Sequence, residues 1–219
     1  MKSLLTFLSD LAHNNTREWM EANKKSYEAE KKSFEKFVAE LLPELVRIDP
    51  SLAALTPKDC IFRLHRDVRF SKDKSPYKTH FGAVWAEGGR KSVLPCYYLH
   101  IEPTKSFFAG GLYMPESAML KKVREEVDYN SESLLKIIED KAFKKYYGEL
   151  DSEIKSSTMP RGYDKTHPQA ELLKLKSWTV THPLSDNDLA PEKLKDIVLE
   201  GARLMLPFNK WLNMASQGE

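Results

Sequence analysis

Between Ile61 and Tyr113 the apolar residues of this chain tend to fall at every second position, whereas on either side they recur at helical spacing. A period of two sends alternate side chains to opposite faces of a strand, and a period of roughly 3.6 gathers i, i+3, i+4 and i+7 on one helix face. The chain must therefore join a sheet from its middle third to helices from its ends.

The first extended segment runs from Ile61 to Phe70. It places Phe62, Leu64, Val68 and Phe70 on one side and Arg63, His65, Asp67 and Arg69 on the other. Phe81 to Ala86 predicts a second strand, Val93 to Glu102 a third and Ser106 to Tyr113 a fourth. Gly88 and Gly89 supply positive φ for a tight hairpin between the second and third. Short links favour antiparallel pairing. Leu172 to Thr181 alternates as well and predicts one more strand. The expected architecture is α+β: a central antiparallel β-meander of about four to five strands, packed by N-terminal and C-terminal helices.

At the start, Ser3 is placed to cap a helix carrying Leu4, Phe7, Leu8 and Leu11 on one face. Asn15 with Glu18 has capping-box spacing, and Asn14, Asn15 and Trp19 read as a cap and a core anchor. A long helix follows through Tyr27, Phe34, Val38, Leu41 and Leu45, with a kink or break expected at Pro43 and an end at Asp49-Pro50. Pro115 opens a second helical region with a break near Asn130. Residues 151–170, with Pro160, Gly162 and Pro168, predict an irregular connection, and Pro191 starts a last helix with a kink at Pro207.

At 219 residues, with no repeat and no clear linker, the chain reads as a single domain spanning 1–219. A net charge of +2 argues against a dedicated DNA coater, so nucleic acid is a disfavoured partner and any attraction for anions must be local. No apolar run approaches the roughly 18 residues of a membrane span, and Met1 to Asp10 is too short and too soon acidic for a signal peptide. Cys60 and Cys96 make neither a disulfide framework nor a zinc spacing, which points to a reducing, cytoplasmic setting.

The stretch from Arg63 to His80 is the densest in charge. On a strand, Arg63 and Arg69 would be two guanidinium forks suited to phosphate or carboxylate, with Asp67 between them holding the forks in place. Lys72, Lys74 and Lys78 extend the cationic surface, Asp73 orients it, Tyr77 edges it, and Pro76 stiffens the loop. The competing reading is an ion network that serves structure alone. Arg66 points to the apolar side, which predicts pairing with a carboxylate from a helix.

On the third strand one choice of register sets Tyr98 and His100 beside the surface of Arg63 and Asp67, and His100 with Glu102 or Asp67 has the composition of an acid–base pair. Asp67 and His100 are thus the catalytic candidates, against a purely hydrogen-bonded role for a strand histidine. Cys96, Tyr98 and His100 invite a metal reading, but the set lacks soft-ligand geometry, and no metal or cofactor is expected. Phosphate-loop, dinucleotide and Gly-x-Ser-x-Gly motifs do not occur. Gly110-Gly111 marks a close backbone approach, read as a bulge or an aromatic contact.

The run Arg66 to His80 resembles the signature of a family of microbial proteins known only as a domain of unknown function. Asn14-Asn15 with Trp19, Tyr97 to Pro103, Gly110 to Tyr113 and Leu173 to Ser177 share in that resemblance. It implies no activity, cofactor or catalytic residue.

The residues thus favour a protein that binds a phosphorylated or carboxylated small anion through Arg63, Asp67, Arg69, Asp73, Lys74, Tyr77, Lys78, Tyr98 and His100. One alternative is a hydrolase or transferase acting on phosphate-ester or acyl substrates, with the arginines stabilising developing charge. The other is a nucleic-acid or protein interaction module using the basic loop with Tyr77 and Trp85.

Overall fold

The computed structural model describes residues 1–218. Helices α1 (Lys2–His13), α2 (Arg17–Ala22), α3 (Lys24–Ile48) and α4 (Pro57–Cys60) precede strand β1 (Phe81–Trp85). Strands β2 (Cys96–Ile101) and β3 (Ser106–Leu112) follow. Next come α5 (Ser117–Ile138), α6 (Lys141–Tyr147), α7 (Ala170–Leu173), β4 (Trp178–Leu184) and α8 (Pro191–Gln217). The four strands make one antiparallel meander in the order β1-β2-β3-β4, so the α+β architecture expected from the hydrophobic period is present. No helix among the described residues is long and apolar enough to cross a membrane.

The chain divides into two compact units, each assembled from separate stretches of sequence. The first holds Met1–Lys91, Tyr98–Phe108 and Pro183–Glu200; the second holds Ser92–Tyr97, Ala109–His182 and Gly201 onward.

In the first unit α1 buries the anticipated face, Leu4, Phe7, Leu8 and Leu11, and packs on α3. Its N-cap is Met1, not Ser3. Thr16 caps α2 by accepting from the Trp19 amide at 3.1 Å, which frees Asn15 for another task. Helix α3 runs through Pro43 rather than breaking there. Leu41, Leu42 and Leu45 are buried on both sides of the proline, and this packing holds the helix across the lost hydrogen bond.

The segment from Ile61 to Phe70 is not a strand. Its strand-like pairing is limited to isolated bridges, Ile61 to Ala83 and His65 to Tyr77. Beyond His65 the chain bonds to itself: the Arg66 amide donates to the Pro76 carbonyl, and the Lys74 ammonium donates to the Val68 carbonyl at 2.9 Å. These local partners satisfy groups a ladder would otherwise need. Phe70, expected to face the core, is 96% exposed. Gly88 and Gly89 adopt φ of 85° and 71°, but the link from β1 to β2 is a longer connection containing a 3₁₀ turn at Gly89–Lys91, not a tight hairpin.

In the second unit α5 carries the anticipated break as a single non-helical residue, Asn130, at φ −145° and ψ 55°. Val123, Val127 and Leu134 are fully buried, as are Phe143, Trp178, Val180 and Phe208 to within a few per cent. The strand expected from Leu172 begins only at Trp178. Leu173 and Leu175 are both buried, yet the first closes α7 and the second pairs only with Lys155.

Gly111 has φ +107°, and a Cβ there would fall on the Trp178 carbonyl oxygen and lie 3.1 Å from the Phe208 ring. The glycine pair thus admits neighbouring backbone, the Cys96 carbonyl beside Gly110 and the Trp178 carbonyl beside Gly111. Gly111→Ala is predicted to cost about 3 kcal/mol or more, because strain and overlap with a rigid backbone atom add. Gly148→Ala is predicted to cost only about 1–2 kcal/mol, since its φ of +74° is strained but nothing lies within 4 Å. Urea midpoints of the two variants measure the difference, and equal losses would contradict the overlap.

Candidate functional site: a basic groove beside a histidine pair

The exposed face of α3 is built from residues at i, i+3, i+4, i+7 and i+8: Glu28, Lys31, Lys32, Glu35 and Lys36. Together with the turn into α4, the Phe62–His65 segment, Lys78 and Arg90 it lines an open groove of about 1340 Å³. Seven Lys or Arg side chains face this groove against two glutamates. Several are already engaged. Lys31 lies 3.9 Å from both Glu28 and Glu35, Lys36 lies 3.7 Å from Glu40, and Arg90 donates to the backbone carbonyls of Lys58 and Ile61. Lys32, Lys58, Arg63 and Lys78 have no acidic partner within 4 Å among the described residues. Lys78 is half-buried, with its ammonium over the Phe62 ring at 5.2 Å. Burial, and then the charge of Arg63, lowers its pKa.

The loop that follows holds itself shut. Arg69 grips Asp67 with two bonds, 3.0 and 2.7 Å, and this grip holds the Asp67 carboxyl below its usual range. Arg66 pairs with Asp73 of the same loop and not with a helix carboxylate as expected. Asp73 also accepts from the Ser75 amide and hydroxyl at 2.9 and 2.6 Å. Tyr77 is buried, its ring edge-on to His65 at 5.0 Å. The side-chain amide of Asn15 brackets the Tyr77 backbone, donating to its carbonyl at 2.9 Å and accepting from its amide at 3.1 Å. Of the residues singled out in the sequence, Arg63 and Lys78 therefore face the groove. Asp67, Arg69, Asp73, Lys74 and Tyr77 fasten the loop. Trp85 is fully buried and Tyr77 nearly so, which leaves neither ring free to stack on a base.

Beside Lys78, strand β2 sends Tyr98 and His100 to one face while Leu99 and Ile101 are buried on the other, and Glu102 follows directly after the strand's last residue. Gly82 on β1 leaves room for the Tyr98 ring, whose hydroxyl would otherwise meet a Cβ at 2.8 Å. That hydroxyl lies 3.1 Å from His100 Nδ1, and His100 Nε2 lies 3.1 Å from Glu102 Oε2. Thr79 Oγ1 donates to the other Glu102 oxygen at 2.9 Å. His80 packs its ring against His100 at 4.2 Å, and Phe107 stacks on the opposite side at 4.7 Å. Burial lowers both imidazole pKa values: His80 falls to about 4, and His100 falls against the opposing pull of Glu102. Burial works to raise the Glu102 pKa, and the bonds from His100 and Thr79 overcome it. Near neutral pH the cluster thus holds two neutral imidazoles and one carboxylate, a set able to accept a proton or a cation. Cys96 belongs to no such set, since burial pushes its thiol up to about 12.

Sequence reasoning missed the lysines of α3, although their helical spacing was readable. It also missed the meeting of His80 with His100, for which the sequence offers no signal.

The chain belongs to the conserved hypothetical protein family DUF2461, which it matches over residues 3–211. No curated protein and no solved structure matches it.

Asn15→Ala is predicted to destabilise the fold by about 2 kcal/mol, since two buried backbone groups lose their partner. Hydrogen exchange at the Tyr77 amide should accelerate in step with this loss; unchanged protection would show that the clamp is redundant. His80 generates a pH dependence. An unfolded histidine titrates near 6.5 and folded His80 near 4, so between these values the unfolded chain binds more protons. Stability contributed by this group is intact above the window and is lost as pH falls through it. His80→Gln should flatten that slope in metal-free buffer, and an identical slope in both proteins would refute the assignment.

Proposed function

We propose that the protein binds a small anion, phosphorylated or carboxylated, at the end of the groove where Arg63 and Lys78 stand. The observation that carries this reading is the pair itself: two neighbouring cations, one half-buried, neither matched by a protein carboxylate. Keeping like charges together in a partly desolvated place costs free energy, and a bound anion would relieve that cost. Arg63 supplies a planar fork that fits two oxygens, and Lys78 a point charge held in place by the Phe62 ring. The ring also offers an apolar wall for the rest of a ligand. The volume exceeds the roughly 300–1,000 Å³ of usual ligand pockets, which suits a groove that takes the charged end of a molecule and leaves the remainder in solvent. The loop residues contribute indirectly, by fastening the segment that carries Lys78.

The test is a thermal-shift panel at fixed ionic strength with phosphate, pyrophosphate, citrate and nucleoside mono- and triphosphates. A ligand at 100 times its Kd stabilises by about 2.7 kcal/mol. One anion class should raise the Tm, and Arg63→Gln with Lys78→Met should abolish the shift while leaving the unliganded Tm within a few degrees. Arg69→Gln should keep the shift, because Arg69 is committed to Asp67. A uniform response to every anion, or a shift that survives the double substitution, would overturn the proposal. Binding of single-stranded oligonucleotides with a steep loss of affinity in salt would favour the interaction-module reading instead.

A further inference from the structure

We infer that His80, His100 and Glu102 form a binding site for a divalent first-row transition-metal ion. One ligand atom from each of the three lies within 4.8 Å of the others. With bonds of about 2.0–2.2 Å, two ligands on a tetrahedral ion stand roughly 3.3 Å apart. His100 Nε2 and Glu102 Oε2 already stand 3.1 Å apart. The ring nitrogens of His80 have no hydrogen-bond partner among the described residues, so that imidazole has donors to give.

Surrounding groups orient the ligands in the way metal sites require. The Tyr98 hydroxyl lies against His100 Nδ1, which turns Nε2 toward the site. Thr79 holds Oε1 of Glu102 and leaves Oε2 to face the histidines. The stacked Phe107 ring restricts rotation of His100. Two imidazoles and one carboxylate select zinc, iron, cobalt or nickel over magnesium and calcium, which prefer oxygen ligands throughout. Three protein ligands leave further positions open for water or a ligand, the pattern of reactive rather than structural metal sites. The charge of Lys78, felt at both imidazoles, disfavours a bare cation and favours one that carries an anion in those positions. The metal site stands on its own geometry and does not require the anion reading.

Cobalt(II) is a suitable probe, because its visible absorption reports coordination while zinc is silent. Chelator-treated protein titrated with Co²⁺ should develop visible bands that saturate at about one equivalent, that Zn²⁺ abolishes and that Mg²⁺ leaves unchanged. His80→Asn and Glu102→Gln should each weaken Co²⁺ binding by about 100-fold or more, and Tyr98→Phe by about 10-fold, the scale of an outer-shell loss. Should a variant fail to fold, proton NMR of the native chain decides. Paramagnetic shifts should fall on His80 and His100 alone among the six histidines. Absence of stoichiometric bands, shifts at other histidines, or bands that persist in folded His80→Asn and Glu102→Gln would each overturn the site.

Discussion

The two faces of strand β2 are the constraint from which the rest of the candidate site follows. Tyr97, Leu99 and Ile101 are buried to within about one per cent, while Tyr98 and His100 occupy the opposite side and Glu102 follows at the strand's end. A strand cannot slip by one residue without exchanging these sets, so burial of the apolar set locks the polar one in register. Tyr98 and His100 are thus held in register with the core, and Glu102, just past the strand, is held by Thr79 and His100. The hydrogen bonds at 3.1 Å act on side chains whose spacing along the chain is already determined.

A second layer of order comes from the loop between His65 and Thr79. Such a loop, dense in like charge, would be expected to stay open to water. Here its acids answer its own cations: Asp67 binds Arg69, and Asp73 binds Arg66 and Ser75. Exposed pairs of this kind contribute little each. The firmer anchor is the neutral clamp of Asn15 on the Tyr77 backbone, which joins residues 62 positions apart in sequence. Arg66 and Arg69 are thus matched by the loop's own acids, whereas Arg63 and Lys78, like Lys32 and Lys58 of the same groove, have no acid within 4 Å among the described residues. The groove and the histidine pair then meet at Lys78 and Phe62, since Phe62 packs edge-on to Tyr98 at 6.2 Å.

Much of this was readable one residue at a time. The faces of α1 and α3, the break at Asn130 and three of the four sheet strands follow from hydrophobic period and from residues with restricted backbones. The errors share a cause. Ile61–Phe70 and Leu172–Lys176 alternate like strands, but alternation reports only which side chains are buried. Pairing also needs a partner strand and free backbone groups, and local bonds had already taken some of them. Asn15 misleads for a related reason: a distant backbone outweighed a local capping preference.

From the sequence alone came the α+β class, the charged stretch ending at His80, and the alternation that puts Tyr98, His100 and Glu102 together, because each depends on neighbours within a few residues. Tertiary structure decided which cations stay unmatched, that α3 supplies one wall of the groove, and that His80 lies against His100. Those outcomes rest on contacts between segments far apart along the chain, and the local chemistry of a sequence holds no measure of such distances.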